Sequence, residues 1–150
     1  MKFVLPAALA AVVIAAAVPA LAADYVTNAA DIVKAADWKA VQTVTVEMKE
    51  TEYKPENLTF KANQPYKLVL KNVGQKPHYF TAPEFYKAIA TRKAETKDGE
   101  FKAPYFNAIE ILTGGTVELF FVPVKTGTYD VYCTIEDHRD KGMDGNIVIE

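Results

Sequence analysis

Short runs of alternating apolar and polar residues, separated by turn residues, fill the sequence after residue 40. Val44, Val46 and Met48 alternate with polar neighbours, and the segment from Tyr66 to Leu70 repeats the pattern. A period of two is that of a strand with one buried face. Proline, glycine and asparagine separate the runs, so we expect a β-sandwich or barrel rather than a helical fold. Further runs near residues 58–60, 109–111, 117–121, 128–133 and 146–150 bring the expected total to seven or eight strands.

One segment between these runs has a helical pattern. Thr81 and Glu84 have the spacing of a capping box, with Pro83 in the first turn. Apolar residues then recur at helical spacing, so we predict a helix from Thr81 to Arg92. The charged segment 93–102 should follow as an exposed loop, and we expect the whole insertion to lie on the outside of the sandwich, between two strands.

The first 22 residues have the composition of an export signal. Lys2 precedes an apolar run rich in alanine and valine, and the run ends in a small-x-small motif at Ala22. We predict a signal peptide at residues 1–22, an N-terminal extension at 23–40 and one domain at 41–150. The alternative is a membrane anchor, because about 20 apolar residues can span a bilayer. The cleavage motif favours export to the periplasm, with no stable membrane insertion afterwards.

The overall composition is that of an ordinary folded domain. Charged residues make up 24% of the chain and the formal net charge is −2, which gives no basis for nucleic-acid binding. The single cysteine, Cys133, has no partner for a disulfide within the chain. Because an accessible lone thiol is open to oxidation outside the cytoplasm, we expect Cys133 to be buried or bound to a metal.

The segment 133–143 carries three metal donors on one connection between strands. Four residues separate Cys133 from His138, and four separate His138 from Met143. A loop of this length can direct all three side chains to one centre. The only other histidine is His78, so it is the candidate for a fourth ligand. Singly, each of these residues is more simply an ordinary core or surface residue, but together they predict a metal site.

The chemistry of these donors favours copper. A thiolate, two imidazoles and a weak thioether suit both Cu(I) and Cu(II), whereas zinc prefers tetrahedral sets of harder or thiolate-rich ligands. A rigid sandwich that fixes this compromise donor set limits rearrangement between the two oxidation states. Small rearrangement makes single-electron transfer fast.

The run from Gly127 to Cys133, followed by Cys-x4-His-x4-Met-x-Gly, resembles the cupredoxins, the blue-copper family. The resemblance covers roughly residues 41–150, and the loop spacing is similar to that of the rusticyanin branch. It implies an all-β, Greek-key sandwich with one helical insertion. Two features differ from many members, namely Tyr79 in place of an asparagine and the length of the insertion at 81–103.

The resemblance also implies a role for each candidate ligand. Cys133 takes the position of the thiolate, His138 and His78 those of the two imidazoles, and Met143 that of the axial thioether. The resemblance further implies that these ligands hold one copper ion, which cycles between Cu(I) and Cu(II).

Two functions are consistent with such a site. The first is a monomeric periplasmic carrier that shuttles single electrons between a donor and an acceptor redox protein. The alternative is a periplasmic copper-binding chaperone or copper-tolerance protein, which uses the same ligands but releases the ion. An enzyme is not expected, because no residue is identified that would orient a Cys133–His138 pair for hydrolysis, and a copper oxidase normally needs further copper sites.

Overall fold

The computed structural model describes residues 25–150, so the predicted signal peptide at 1–22 lies outside the described residues. The strands are β1 (Gln42–Lys49), β2 (Glu52–Lys54), β3 (Leu58–Phe60), β4 (Tyr66–Asn72), β5 (His78–Thr81), β6 (Ile89–Thr96), β7 (Gly99–Phe101), β8 (Ala108–Ile111), β9 (Thr116–Pro123), β10 (Gly127–Tyr132) and β11 (Asp144–Ile149). The helices are α1 (Ala29–Ala35) and α2 (Pro83–Lys87), and a 3-10 helix spans Trp38–Ala40. Within residues 25–150, no helix has the length and apolar character needed to cross a membrane.

The strands form two sheets that pack as a sandwich. One sheet has the order β2-β1-β4-β9-β6-β7 and the other β3-β11-β10-β5-β8. Strands distant in sequence are neighbours in both, since β1 pairs with β4 and β3 with β11, each in parallel. Such crossing connections between sheets are those of a Greek-key sandwich. The all-β sandwich expected from the sequence is confirmed.

The core lies between the sheets and uses the alternating apolar positions. In β4 every second residue from Tyr66 to Asn72 is buried. Phe60 of β3 and Phe121 of β9 meet edge to face across the core, with ring centroids 5.2 Å apart. This geometry is the favoured one for aromatic pairs.

The predicted helix from Thr81 to Arg92 is correct only over its first part. Helix α2 ends at Lys87, and Ile89–Thr96 forms β6, which pairs antiparallel with β9. The carbonyl of Ala88 accepts hydrogen bonds from two amides just beyond β9, at 2.9 and 3.0 Å, which turns the chain into the sheet. Sheet pairing therefore outcompetes a short helical pattern.

The expected position of this insertion is also wrong. Phe85 and Tyr86 of α2 are buried, so the helix contributes to the core and does not lie only on the outside. Thr81 does not cap the helix, because Ala82 occupies the N-cap position and makes no side-chain capping bond. The segment 93–102 is largely a hairpin of β6 and β7 rather than a loop.

The described part of the chain has eleven strands, more than the seven or eight expected. The sequence does not predict β2, β5, β6 and β7, because β2, β5 and β7 are short segments beside turn residues and β6 has a helical pattern. In the segment before β1, helix α1 packs against β6 and buries none of its own residues.

Candidate metal centre

The four candidate ligands come from one end of the second sheet. His78 is the first residue of β5, and Cys133 directly follows the last residue of β10. His138 lies in the loop between β10 and β11, and Met143 directly precedes β11. All four side chains are buried, with exposed fractions of 0% for His78 and Met143, 1% for Cys133 and 3% for His138.

The thiol and both imidazoles face one point. Cys133 Sγ lies 3.6 Å from His138 Nδ1 and 4.0 Å from His78 Nδ1. The three donor atoms lie within 4.8 Å of one another. A sulfur and a nitrogen bound to one ion at about 2.3 and 2.0 Å are about 3.5–3.8 Å apart at angles between tetrahedral and trigonal. The separation between Cys133 and His138 lies in this range, and the separation of 4.0 Å between Cys133 and His78 is slightly longer, so the three donors are close enough to share a single metal ion.

Main-chain hydrogen bonds fix the loop that carries three of the candidates. The Cys133 amide donates to the Met143 carbonyl at 3.0 Å, and the Met143 amide donates to the His138 carbonyl at 2.9 Å. The His138 amide in turn donates to the Ile135 carbonyl at 3.0 Å. These bonds bring the main chain of Met143 beside both Cys133 and His138. The thiol and the two imidazoles in this arrangement, with a buried methionine on the same loop, fit a type 1 copper ion.

The family of the chain follows from comparison with known proteins. The family model of the cupredoxin-like domain matches residues 8–149. The chain belongs to the cupredoxin-like family.

One relative is the copper-resistant cuproprotein CopI of Rubrivivax gelatinosus, which is 27% identical over 114 residues, 74% of this chain and 68% of that protein. Reduced auracyanin from Roseiflexus castenholzii has a TM-score of 0.52 and 18% identity, over 73% of this chain and 97% of that one. A multi-copper oxidase from Pseudomonas thermotolerans has a TM-score of 0.61 and 14% identity, over 77% of this chain and 31% of that one. The two structural likenesses show the fold.

The cupredoxin-like site receives a hydrogen bond at its thiol. The Tyr79 amide donates to Cys133 Sγ at 3.4 Å. The Tyr79 carbonyl accepts from the Tyr53 hydroxyl at 2.6 Å. Burial raises the pKa of the Tyr53 phenol, so this hydroxyl keeps its proton and remains a donor. The hydrogen bond from Tyr53 to the Tyr79 carbonyl thus helps to fix the residue whose amide contacts the Cys133 sulfur.

Asn72 fastens the loop that leads to His78. Its side-chain nitrogen donates to the carbonyls of Lys76 and Ile111, at 2.8 and 2.9 Å. Its side-chain oxygen accepts from the Gly74 amide at 2.9 Å. Asn72 is 1% exposed, so these bonds satisfy a buried amide. In the sequence this residue has only the pattern of a strand end before a turn.

Glu50 lies on the far side of His78 from Cys133. Hydrogen bonds from backbone amides, its own and those of Lys76 and Gln75, lower the pKa of the Glu50 carboxyl to about 2. Burial lowers the pKa of His78, although the nearby Glu50 charge opposes this effect, so the ring is neutral at neutral pH. A neutral imidazole is the form that binds a metal. Sequence reasoning missed Glu50, because one acidic residue after a strand has no distinguishing spacing.

Proposed function

We propose that the protein is an exported mononuclear type 1 copper protein that carries single electrons between redox proteins. His78, Cys133, His138 and Met143 are its ligands. The observation that carries this proposal is the approach of the Cys133 thiol to Nδ1 of both histidines inside a buried site. The donor set matches one thiolate, two imidazoles and a weak axial thioether.

Electron transfer is supported by the way the ligands are held. The thiol follows β10, the upstream histidine begins β5, and the loop of the other two is tied by main-chain hydrogen bonds. When bound, a copper ion supplies the Cu(I)/Cu(II) couple. The protein contributes a donor set that stays in place in both states, so little rearrangement accompanies the change of charge.

His138 is the ligand through which we expect electrons to enter and leave. It has the largest exposed fraction of the four, although this is only 3%. We propose that the donor and the acceptor are redox proteins that meet the chain at this end of the sandwich, and that the chain acts as a monomer and not as an enzyme. The composition of residues 1–22 supports export to the periplasm.

A second function is favoured by one comparison. The chain is 27% identical to a copper-resistant cuproprotein over 114 residues. A copper-tolerance protein or chaperone with the same four ligands would bind the ion exchangeably and pass it on. The two functions therefore differ in how long the ion stays bound during redox cycling.

The test starts with absorption and EPR spectra of the purified protein after addition of Cu(II). We expect an intense visible band from the Cys133 thiolate to Cu(II) transition. Ascorbate should bleach this band and ferricyanide should restore it over many cycles. A protein without the band contradicts the type 1 site.

Competition with a Cu(I) chelator separates the two functions. An electron carrier retains its copper through repeated reduction and oxidation in the presence of the chelator. Loss of the ion at each reduction supports copper handling instead.

A further inference from the structure

The carboxylate of Glu50 is the charged neighbour of a buried nitrogen on a proposed ligand. Glu50 Oε1 lies 3.5 Å from Nε2 of His78, whose Nδ1 faces Cys133. Within residues 25–150, no group forms a hydrogen bond of good geometry with this Nε2, which is fully buried. An unpaired buried N–H costs free energy, so a shorter hydrogen bond from this N–H to the Glu50 carboxylate is favoured.

Several contacts hold the carboxylate in this place. Glu50 Oε1 accepts hydrogen bonds from the amides of Gln75 and Lys76, at 2.6 and 2.7 Å. A Cβ atom at Gly74 would lie 2.6 Å from the same oxygen, so the glycine leaves the space that the carboxylate fills. Although the side chain is 30% exposed, its charged end is fixed by the loop that leads to His78.

We propose that Glu50 is a positioning residue that orients His78 for copper and favours Cu(II) over Cu(I), an inference that rests on the proposed function. Ligand histidines in metal sites donate their second N–H to a carboxylate or carbonyl, which fixes the tautomer and raises the basicity of the ligand. With the proton on Nε2, the lone pair of Nδ1 is directed to the side of Cys133.

The negative charges near the ion explain why Cu(II) is favoured over Cu(I). The Cys133 thiolate and the Glu50 carboxylate together balance the two positive charges of Cu(II). With Cu(I) the same two groups leave one negative charge in excess beside buried side chains. Removal of the carboxylate charge therefore weakens Cu(II) binding more than Cu(I) binding, and the reduction potential rises.

The experiment compares wild type, Glu50→Gln and Gly74→Ala, with Glu52→Gln as the matched control. Glu52 is an exposed carboxylate on β2, and its ion pair with Lys49 at 3.9 Å lies on the surface. Affinities for Cu(II) and Cu(I) are measured separately by competition with chelators, and the potential by redox titration. Thermal unfolding of each metal-free variant shows whether it folds.

We expect Glu50→Gln to lose about 10–100-fold in Cu(II) affinity and much less in Cu(I) affinity. Each tenfold fall in the ratio of Cu(II) affinity to Cu(I) affinity raises the reduction potential by about 59 mV for one electron. Gly74→Ala should shift the potential in the same direction, because its Cβ displaces the carboxylate. Glu52→Gln should match the wild type.

Two outcomes overturn the inference while leaving the proposed function intact. One is a folded Glu50→Gln protein with the wild-type ratio of affinities and the wild-type potential, which assigns Glu50 a structural role alone even if the unfolding temperature is lower. The other is an equal shift in Glu52→Gln. Failure of the proposed function is seen separately, as absence of the thiolate band in wild type.

Discussion

The main-chain amide of Tyr79 donates a hydrogen bond to the sulfur of Cys133, at an N–S distance of 3.4 Å. The donor is a backbone group, so the side chain at position 79 does not decide whether the bond forms. Hydrogen bonding around the cysteine sulfur is one of the factors that tune the potential of type 1 copper sites. The presence of Tyr79 where many members have asparagine thus leaves this contact available.

Substitution of Cys133 by serine should abolish both the visible band and tight copper binding, because a hydroxyl does not replace the thiolate as a soft donor. Absorption spectroscopy and copper titration measure the two losses. Tyr79→Phe is the control, since it keeps the amide donor and should keep the band. A Cys133→Ser protein that retains the band would show that the colour arises elsewhere.

Substitution of Met143 by leucine should preserve copper binding and raise the reduction potential, because the axial thioether stabilises Cu(II) more than Cu(I). Exchange of methionine for leucine usually costs less than about 1.5 kcal/mol in stability. Met48→Leu is the matched control, since Met48 is equally buried but lies in β1. Redox titration should separate the two variants, and equal potentials in both would argue against Met143 as a ligand.

Removal of the Asn72 side chain should destabilise the protein and speed copper release. Asn72→Ala leaves the carbonyls of Lys76 and Ile111 without their donor, which costs about 1–3 kcal/mol. Denaturant unfolding of the metal-free protein measures the first effect, and transfer of copper to a chelator the second. Asn146→Ala, at an exposed position of β11, should change neither. An unaltered release rate in Asn72→Ala would mean that the loop before His78 is held by other contacts.

Phe85→Ala should destabilise the fold by about 3–5 kcal/mol, because it removes a large buried side chain. Its ring packs against Phe60 and Phe121 at centroid distances of 6.0 and 5.5 Å. Phe101→Ala is the surface control, since Phe101 is 54% exposed. Equal stabilities of the two variants in urea would show that α2 is not part of the core.

The sandwich could be predicted because buried and exposed side chains alternate along the sequence of its main strands. In β1 and β4 the alternation of side chains between a buried and a solvent face is visible in the sequence. Helix α2 and β6 could not be separated in the same way. The pattern from Phe85 to Arg92 is compatible with a helix, and the pairing with β9 that decides the matter lies about thirty residues further along the chain.

The residues of the site also differ in whether the local sequence is enough to predict their roles. Cys133, His138 and Met143 share one loop, so their spacing alone predicts a common centre. His78 could be added because histidines are scarce in this chain. Glu50 and Asn72 could not be found, because their roles depend on where the fold places the loop 73–77, and many polar residues of the sequence look equivalent to them. The similarity of the ligand loop to that of the rusticyanin branch stays a prediction.

Strands β5 and β10 share a single register pair, Tyr132 with Thr81, whereas β5 shares four with β8. His78 and Cys133 stand on opposite sides of this weakly paired seam. An ion bound by both residues links the two strands. A ligand that binds only the folded state increases the stability of that state. Copper removal should therefore raise amide hydrogen exchange first along β5. Such a result would show that the metal ion also stabilises the pairing between β5 and β10.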